Sequence, residues 1–189
     1  MRQLSLPFAP VDPRQFTVRI TPPTTVFDQV RELKELFYNV FGDYPLGIKS
    51  QPHITLVGFL RNGDSEWKIV NSLHEVKLNS PIEIEVEGFD MFYPNILILK
   101  VRASLVLNYL NKKIYTALVQ KAGFNNKSFG VVENFHITIS KTRDMKQLYE
   151  SLHYFRQMDY PKSFYVNHIS LLSREPNRTW DRSIDFCLE

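Results

Sequence analysis

The tripeptide His-Ile-Thr occurs twice, as His53-Ile54-Thr55 and His136-Ile137-Thr138, about eighty residues apart in a 189-residue chain. Each copy opens a short apolar run. Pro52 introduces His53-Ile54-Thr55-Leu56-Val57-Gly58-Phe59, and the second run is Phe135-His136-Ile137-Thr138-Ile139-Ser140. Runs of this length, rich in Ile, Val and Thr, read as strands. In a strand, residues i and i+2 point to the same face, roughly 6.5 Å apart. His53 and Thr55 therefore share one face, as do His136 and Thr138. The isoleucines, with Leu56 and Ile139, take the other.

The surroundings of the two runs match. In the first half, Phe16-Thr17-Val18-Arg19-Ile20 alternates as a strand until Pro22-Pro23. A helix over residues 25–41 follows, with Val26, Val30, Leu33, Phe37 and Val40 on one stripe and Gly42 as its stop. After the first His-Ile-Thr strand, Asp64 or Ser65 can cap a helix carrying Trp67, Ile69, Val70, Leu73 and Val76. The strictly alternating run at 82–87 pairs with 96–101 through the turn at Phe92, Tyr93, Pro94 and Asn95. In the second half, a helix spans residues 104–122 with Leu107, Leu110, Ile114, Leu118 and Val119 inward. After the second His-Ile-Thr strand, Asp144 caps a helix to about residue 158. Strands at 164–172 and 183–188 complete the chain. No fixed period repeats, which argues against a solenoid. No Gly- or Ser-rich linker separates the halves. The expectation is an α+β fold: one bilobal unit over residues 1–189, with 1–14 an irregular lead-in. Two pseudo-twofold-related antiparallel sheets line a central cleft, with helices outside. If the lobes obey that symmetry, both His-x-Thr pairs converge on one point.

Two imidazoles at one point suit acid–base chemistry. Their ordinary pKa near 6.5 lets one act as a base and the other as an acid at neutral pH. Paired threonine hydroxyls can donate to the non-bridging oxygens of a phosphate, where charge gathers in the transition state. A single His on a strand is ordinarily structural. Two His-x-Thr pairs among five histidines arise by chance in only about a few per cent of chains of this composition. A zinc site needs a third protein ligand; there is no His-Glu-x-x-His, and Cys187 is the one cysteine. It excludes an internal disulfide and is read as structural. Seven glycines form no phosphate-binding loop, which argues against nucleoside triphosphate use. No metal and no cofactor are expected.

A formal charge of +3 suits a partner with a few phosphates without identifying nucleic acid. The proline-bearing N-terminus does not read as a secretory signal, and no apolar run nears the roughly 18 residues of a membrane span. A cytoplasmic, monomeric protein without membrane contact is the resulting expectation.

Two His-x-Thr strands at this separation, in a chain of this length, resemble the two-histidine (2H) phosphoesterase superfamily, in its 2′-5′ RNA ligase and cyclic phosphodiesterase branch. The resemblance covers residues 15–188. It implies a bilobal α+β fold and a metal-independent phosphodiesterase acting on 2′,3′-cyclic phosphate ends of RNA or on small nucleotides. His53 and His136 would be catalytic, with His136 activating water as base and His53 as acid. Thr55 and Thr138 would bind phosphate. Ligation through a 2′-5′ linkage is the reverse alternative; a non-catalytic RNA- or nucleotide-binding domain, or a relic cleft, are alternatives of another class. The second motif of the family often reaches an arginine five residues after its histidine. Here that position is Lys141, with Arg143 nearby; lysine keeps the charge but loses the bidentate fork. The first motif usually continues Leu-x-Phe-Leu-Gly, whereas this chain reads Leu56-Val57-Gly58-Phe59-Leu60, so the exit of that strand differs.

Further candidates for substrate contact are Phe16 and Arg19 on the first strand, Phe92 and Tyr93 for base stacking, His168, and Ser173 with Arg174. Lys49, Lys141 and Arg143 form a candidate basic rim. His74 reads as a surface residue of its helix, and His153 as helix surface or core edge.

Overall fold

The structure is a computed structural model that describes residues 12–42, 48–124 and 132–189. Most of the expected lead-in lies outside the described residues, and the first strand starts earlier than expected, at Pro13. The strands are β1 (Pro13–Ile20), β2 (Ile54–Asn62), β3 (Ile82–Phe92), β4 (Ile96–Val101), β5 (His136–Lys141), β6 (Ser163–Val166), β7 (His168–Arg174) and β8 (Arg182–Cys187). The helices are α1 (Thr24–Phe41), α2 (Glu66–His74), α3 (Leu105–Gln120) and α4 (Met145–Phe155). Ser104 caps α3 by accepting from the Leu107 amide, and Asp144 caps α4 by accepting from that of Gln147.

All strands join one antiparallel sheet in the order β6-β3-β4-β5-β2-β1-β7-β8. The two expected sheets are its two four-stranded halves. They meet at β5 and β2 through one residue pair, Ile137 with Ile54. Thus the two His-Ile-Thr strands form the joint of the molecule. The halves are interlaced. Strands β1 and β2 begin one half, β3 to β6 make the other, and β7 and β8 return to the first. The run expected as one strand at 164–172 is therefore two. β6 pairs with β3, and β7 pairs with β1 and β8, with Asn167 between them.

The long helices are interlaced as well. α1, which leaves the first half, packs over β5; α3, which leaves the second, packs over β2. Their stripes share one core with the sheet face that carries Ile54, Leu56, Ile137 and Ile139, all fully buried. Within α1 the buried stripe is Val26, Val30, Leu33, Lys34 and Phe37; Val40, expected on it, is exposed. Trp67 likewise points outward from α2, and Cys187 is exposed. Among the described residues, no helix is long and apolar enough to cross a membrane.

Candidate active site

The alternation of burial settles which side chains leave the core. Ile54 and Ile137 are buried, and the flanking His53, Thr55, His136 and Thr138 are half-buried on the opposite face. Continuing the Ile54–Ile137 pairing by one residue sets His53 across from Thr138 and Thr55 across from His136. Each imidazole thus lies beside the other strand's hydroxyl, as a local twofold requires. Neither threonine hydroxyl has a hydrogen-bond partner among the described residues.

Both strands also carry a bulge at the same place. Against β1, Val57 is opposite Val18 and Thr55 opposite Arg19, so Leu56 is the extra residue. Against β4, Ser140 is opposite Leu97 and Thr138 opposite Ile98, so Ile139 is extra. A bulge resets face parity. Lys141 consequently shares the face of Thr138, although the two are an odd three positions apart.

The two imidazoles are held alike. His53 Nδ1 lies 2.7 Å from the Gln51 carbonyl oxygen, and His136 Nδ1 lies 2.8 Å from that of Asn134. A carbonyl only accepts, so Nδ1 carries the hydrogen in both rings and Nε2 is the titrating atom aimed away. Phe92 stacks on the His136 ring with centroids 5.1 Å apart. Burial pushes the His53 imidazole below its ordinary value. The Gln51 carbonyl pulls it up, and the charges of Arg19, Lys34 and His136 push it down.

The two lobes are not alike in charge. Beside His53 opens a cleft of about 880 Å³ lined by Arg19, Lys49, Arg174, Arg178 and Arg182, with Asp181 as its carboxylate. Asp181 pairs with Arg14, and Arg182 with Glu66. Arg174 lies 4.3 Å over the Trp180 ring. Beside His136 a smaller recess of about 510 Å³ carries Glu87, Asp90 and Glu133 with Lys100 and Arg102. Both of those cations are paired with Glu87. Lys34 reaches the basic side from α1, donating to Ser50 Oγ at 2.9 Å.

Several expected contacts fall elsewhere. Phe16 is fully buried and stacks on Phe59 on the core face, so it cannot touch a substrate. Ser173 sits opposite Phe16 on that same face, 1% exposed, where it donates to Glu66. Tyr93 is 82% exposed at the tip of the β3–β4 turn. His168 is half-buried at the start of β7 beside Asn167 and does not line the cleft. Lys141 and Arg143 are exposed at the far end of β5, outside both recesses. Of the candidate basic rim, Lys49 lines the cleft. The sequence reading missed Gln51, Asn134 and Lys34. The first two act through backbone carbonyls, which any residue supplies. Lys34 interrupts an otherwise apolar helical stripe, and that interruption was a visible signal. Among the described residues, no group of three or more His, Cys, Asp or Glu side chains is arranged to hold a metal ion.

The sequence profile of the 2′-5′ RNA ligase superfamily matches residues 22–178. No curated protein matches the chain. Among solved structures, E. coli LigT complexed with NADP+ superposes with a TM-score of 0.61 at 11% identity, covering 93% of this chain and 99% of LigT. LigT complexed with 3′-AMP gives 0.59 at 11% identity over 93% and 98%. A structure described as a phosphoesterase gives 0.56 at 14% identity over 93% and 96%. At such identities the likeness concerns the fold.

Proposed function

The chain belongs to the 2′-5′ RNA ligase superfamily of 2H phosphoesterases, and on that premise we propose that it is a metal-independent phosphodiesterase opening 2′,3′-cyclic phosphate ends of RNA or nucleotides. The observation that carries this reading is the Ile54–Ile137 joint. Two Nδ1-anchored imidazoles and two threonine hydroxyls, unpartnered among the described residues, flank that pair on neighbouring strands, which supports a shared site. The bound ligands named for LigT, 3′-AMP and NADP+, are nucleotides and agree with a nucleotide-sized substrate.

In hydrolysis, water attacks phosphorus as the P–O3′ bond breaks. His53, kept neutral by burial and by neighbouring cations, takes the water proton at Nε2. His136 gives its Nε2 proton to the departing O3′, leaving a 2′-phosphate. Solvent then resets both rings. This assignment is the reverse of the sequence expectation, and its reason is burial first and the charges of Arg19 and Lys34 second: a ring so placed resists protonation. Thr55 and Thr138 donate to the non-bridging oxygens as charge builds there. Ligation is the same path with a 5′-hydroxyl in place of water, the P–O3′ bond breaking as the 2′-5′ linkage forms; cleavage of that linkage runs the path backwards.

The test is turnover of a nucleoside 2′,3′-cyclic phosphate with chelator present, resolving 2′- from 3′-phosphate. His53→Ala and His136→Ala should each lower kcat by about 10²–10⁴. Unchanged turnover in either variant sinks the two-histidine mechanism. Binding without turnover favours a recognition module, and loss of activity in chelator points to a metal.

A further inference from the structure

Arg19 is 7% exposed, yet it lines the cleft beside His53. Its Nη2 donates to Gln51 Oε1 at 2.8 Å, while Nε is buried without a partner among the described residues. Among the described residues no carboxylate lies within ion-pair distance of it, although the field of Asp185 reaches it. Arg14 on the same strand makes the contrast. It also has an unpartnered Nε, but its guanidinium is paired with Asp181. A buried guanidinium without a counter-ion is costly unless an anion joins it.

Two placements say which anion. Arg19 stands directly opposite Thr55 in the sheet register, on the face of His53 and Thr55. At the symmetry-equivalent place, opposite Thr138, the chain has Ile98. The equivalent place is closed by an apolar side chain, so the sheet itself does not call for an arginine there. Gln51 ties the two halves of the arrangement together. Its carbonyl accepts from His53 and its side chain accepts from Arg19.

We propose that Arg19 is a catalytic residue, gripping the non-bridging oxygens of the scissile phosphate with two guanidinium N–H groups on the His53 side of the site. The assignment rests on the phosphate-handling reading above. It makes the site one-sided: the anion is drawn toward Thr55 and Arg19, not shared equally between the two threonines. As the phosphorus gains a ligand and its equatorial oxygens gain charge, a fixed fork gains more than a flexible hydroxyl.

Inorganic phosphate is the probe, titrated while the His53 and His136 ring resonances are followed by NMR. Wild type should show saturable shifts. Arg19→Gln, which keeps a polar partner for Gln51, should weaken phosphate about ten- to a hundredfold. It should also lower kcat/KM on a nucleoside 2′,3′-cyclic phosphate by about 10²–10³. Arg19→Lys, charged but forkless, should fall between. If Arg19→Gln loses its fold, Arg19→Lys decides. Phosphate affinity equal to wild type in the deciding variant overturns the proposal, as does a wild type whose histidine resonances ignore phosphate. Arg19-dependent phosphate binding without turnover leaves the proposal standing and removes the cyclic phosphodiesterase reading. Turnover that is insensitive to Arg19 does the reverse.

Discussion

Lys34 sits on the stripe of α1 that faces the sheet, beside Val30, Leu33 and Phe37, with 2% of its surface exposed. Burial pushes its amine down to about 8 from 10.5. That displacement corresponds to a penalty of about 3 kcal/mol on the charged folded form. Between pH 8 and 10.5 the unfolded amine keeps a proton that the folded one has shed. Unfolding free energy therefore rises with pH across that window, and the full penalty applies below it. Lys34→Met should lack this rise, as urea unfolding at pH 8 and pH 10 would show; parallel slopes for the two proteins would contradict it. The same variant tests the site. Removing one of the cations that hold His53 down raises that pKa, so the acidic limb of the kcat/KM profile should move to higher pH. A fold that keeps a costly buried charge next to its imidazole trades stability for a base that stays neutral.

At the scale of elements, the joint between the halves is the feature with most at stake. Ile54 and Ile137 are both fully buried and form the residue pair bridging β2 and β5. Either changed to alanine should cost about 2–5 kcal/mol. A double-mutant cycle by urea unfolding should give a coupling of about 0.5–3 kcal/mol, because the residues touch. Zero coupling would mean that the halves hold together elsewhere. The helices, the hairpin at 82–101 and both His-Ile-Thr strands were legible from periodicity. The break between β6 and β7 was legible only in hindsight. Phe164 and Val166 are buried, then Ile169 and Leu171, so the alternation slips by one across Asn167 without a Gly or Pro to announce it. The bulges at Leu56 and Ile139 left less trace. Each follows a threonine inside an apolar run, where two successive buried residues look like an ordinary core strand. Face parity carried the site residues correctly up to those bulges, which re-aim Lys141. Phe16 fell on the wrong side for a separate reason. It alternates with Arg19 at odd spacing, so the two could never share a face.

Across the whole molecule a formal charge of +3 conceals a strong gradient. The sequence could show the total but not the partition, because Arg19, Lys49, Arg174 and Arg178 come from separate segments and meet only in the fold. Around the imidazoles the His53 side is cationic. The His136 side holds three carboxylates against two cations that are already paired. A nucleic acid strand attached to the reacting phosphate is repelled by one flank and attracted by the other, so it should leave along β7 and the 174–182 turn. Lys49 and Arg178 are exposed cations of the cleft lining, which makes them the partners for phosphates beyond the reacting one. With an oligonucleotide ending in a 2′,3′-cyclic phosphate, log kcat/KM should fall with log salt by about 0.7 per contacted phosphate. A mononucleotide should show a flatter dependence. Lys49→Glu with Arg178→Glu should flatten the oligonucleotide slope and lower its kcat/KM severalfold, while leaving the mononucleotide almost unchanged. Glu133→Lys on the opposite flank should do neither. If the oligonucleotide slope survives the double reversal, the strand takes another path. If Glu133→Lys steepens it, the strand crosses the acidic flank, and the charge gradient serves solubility instead of steering.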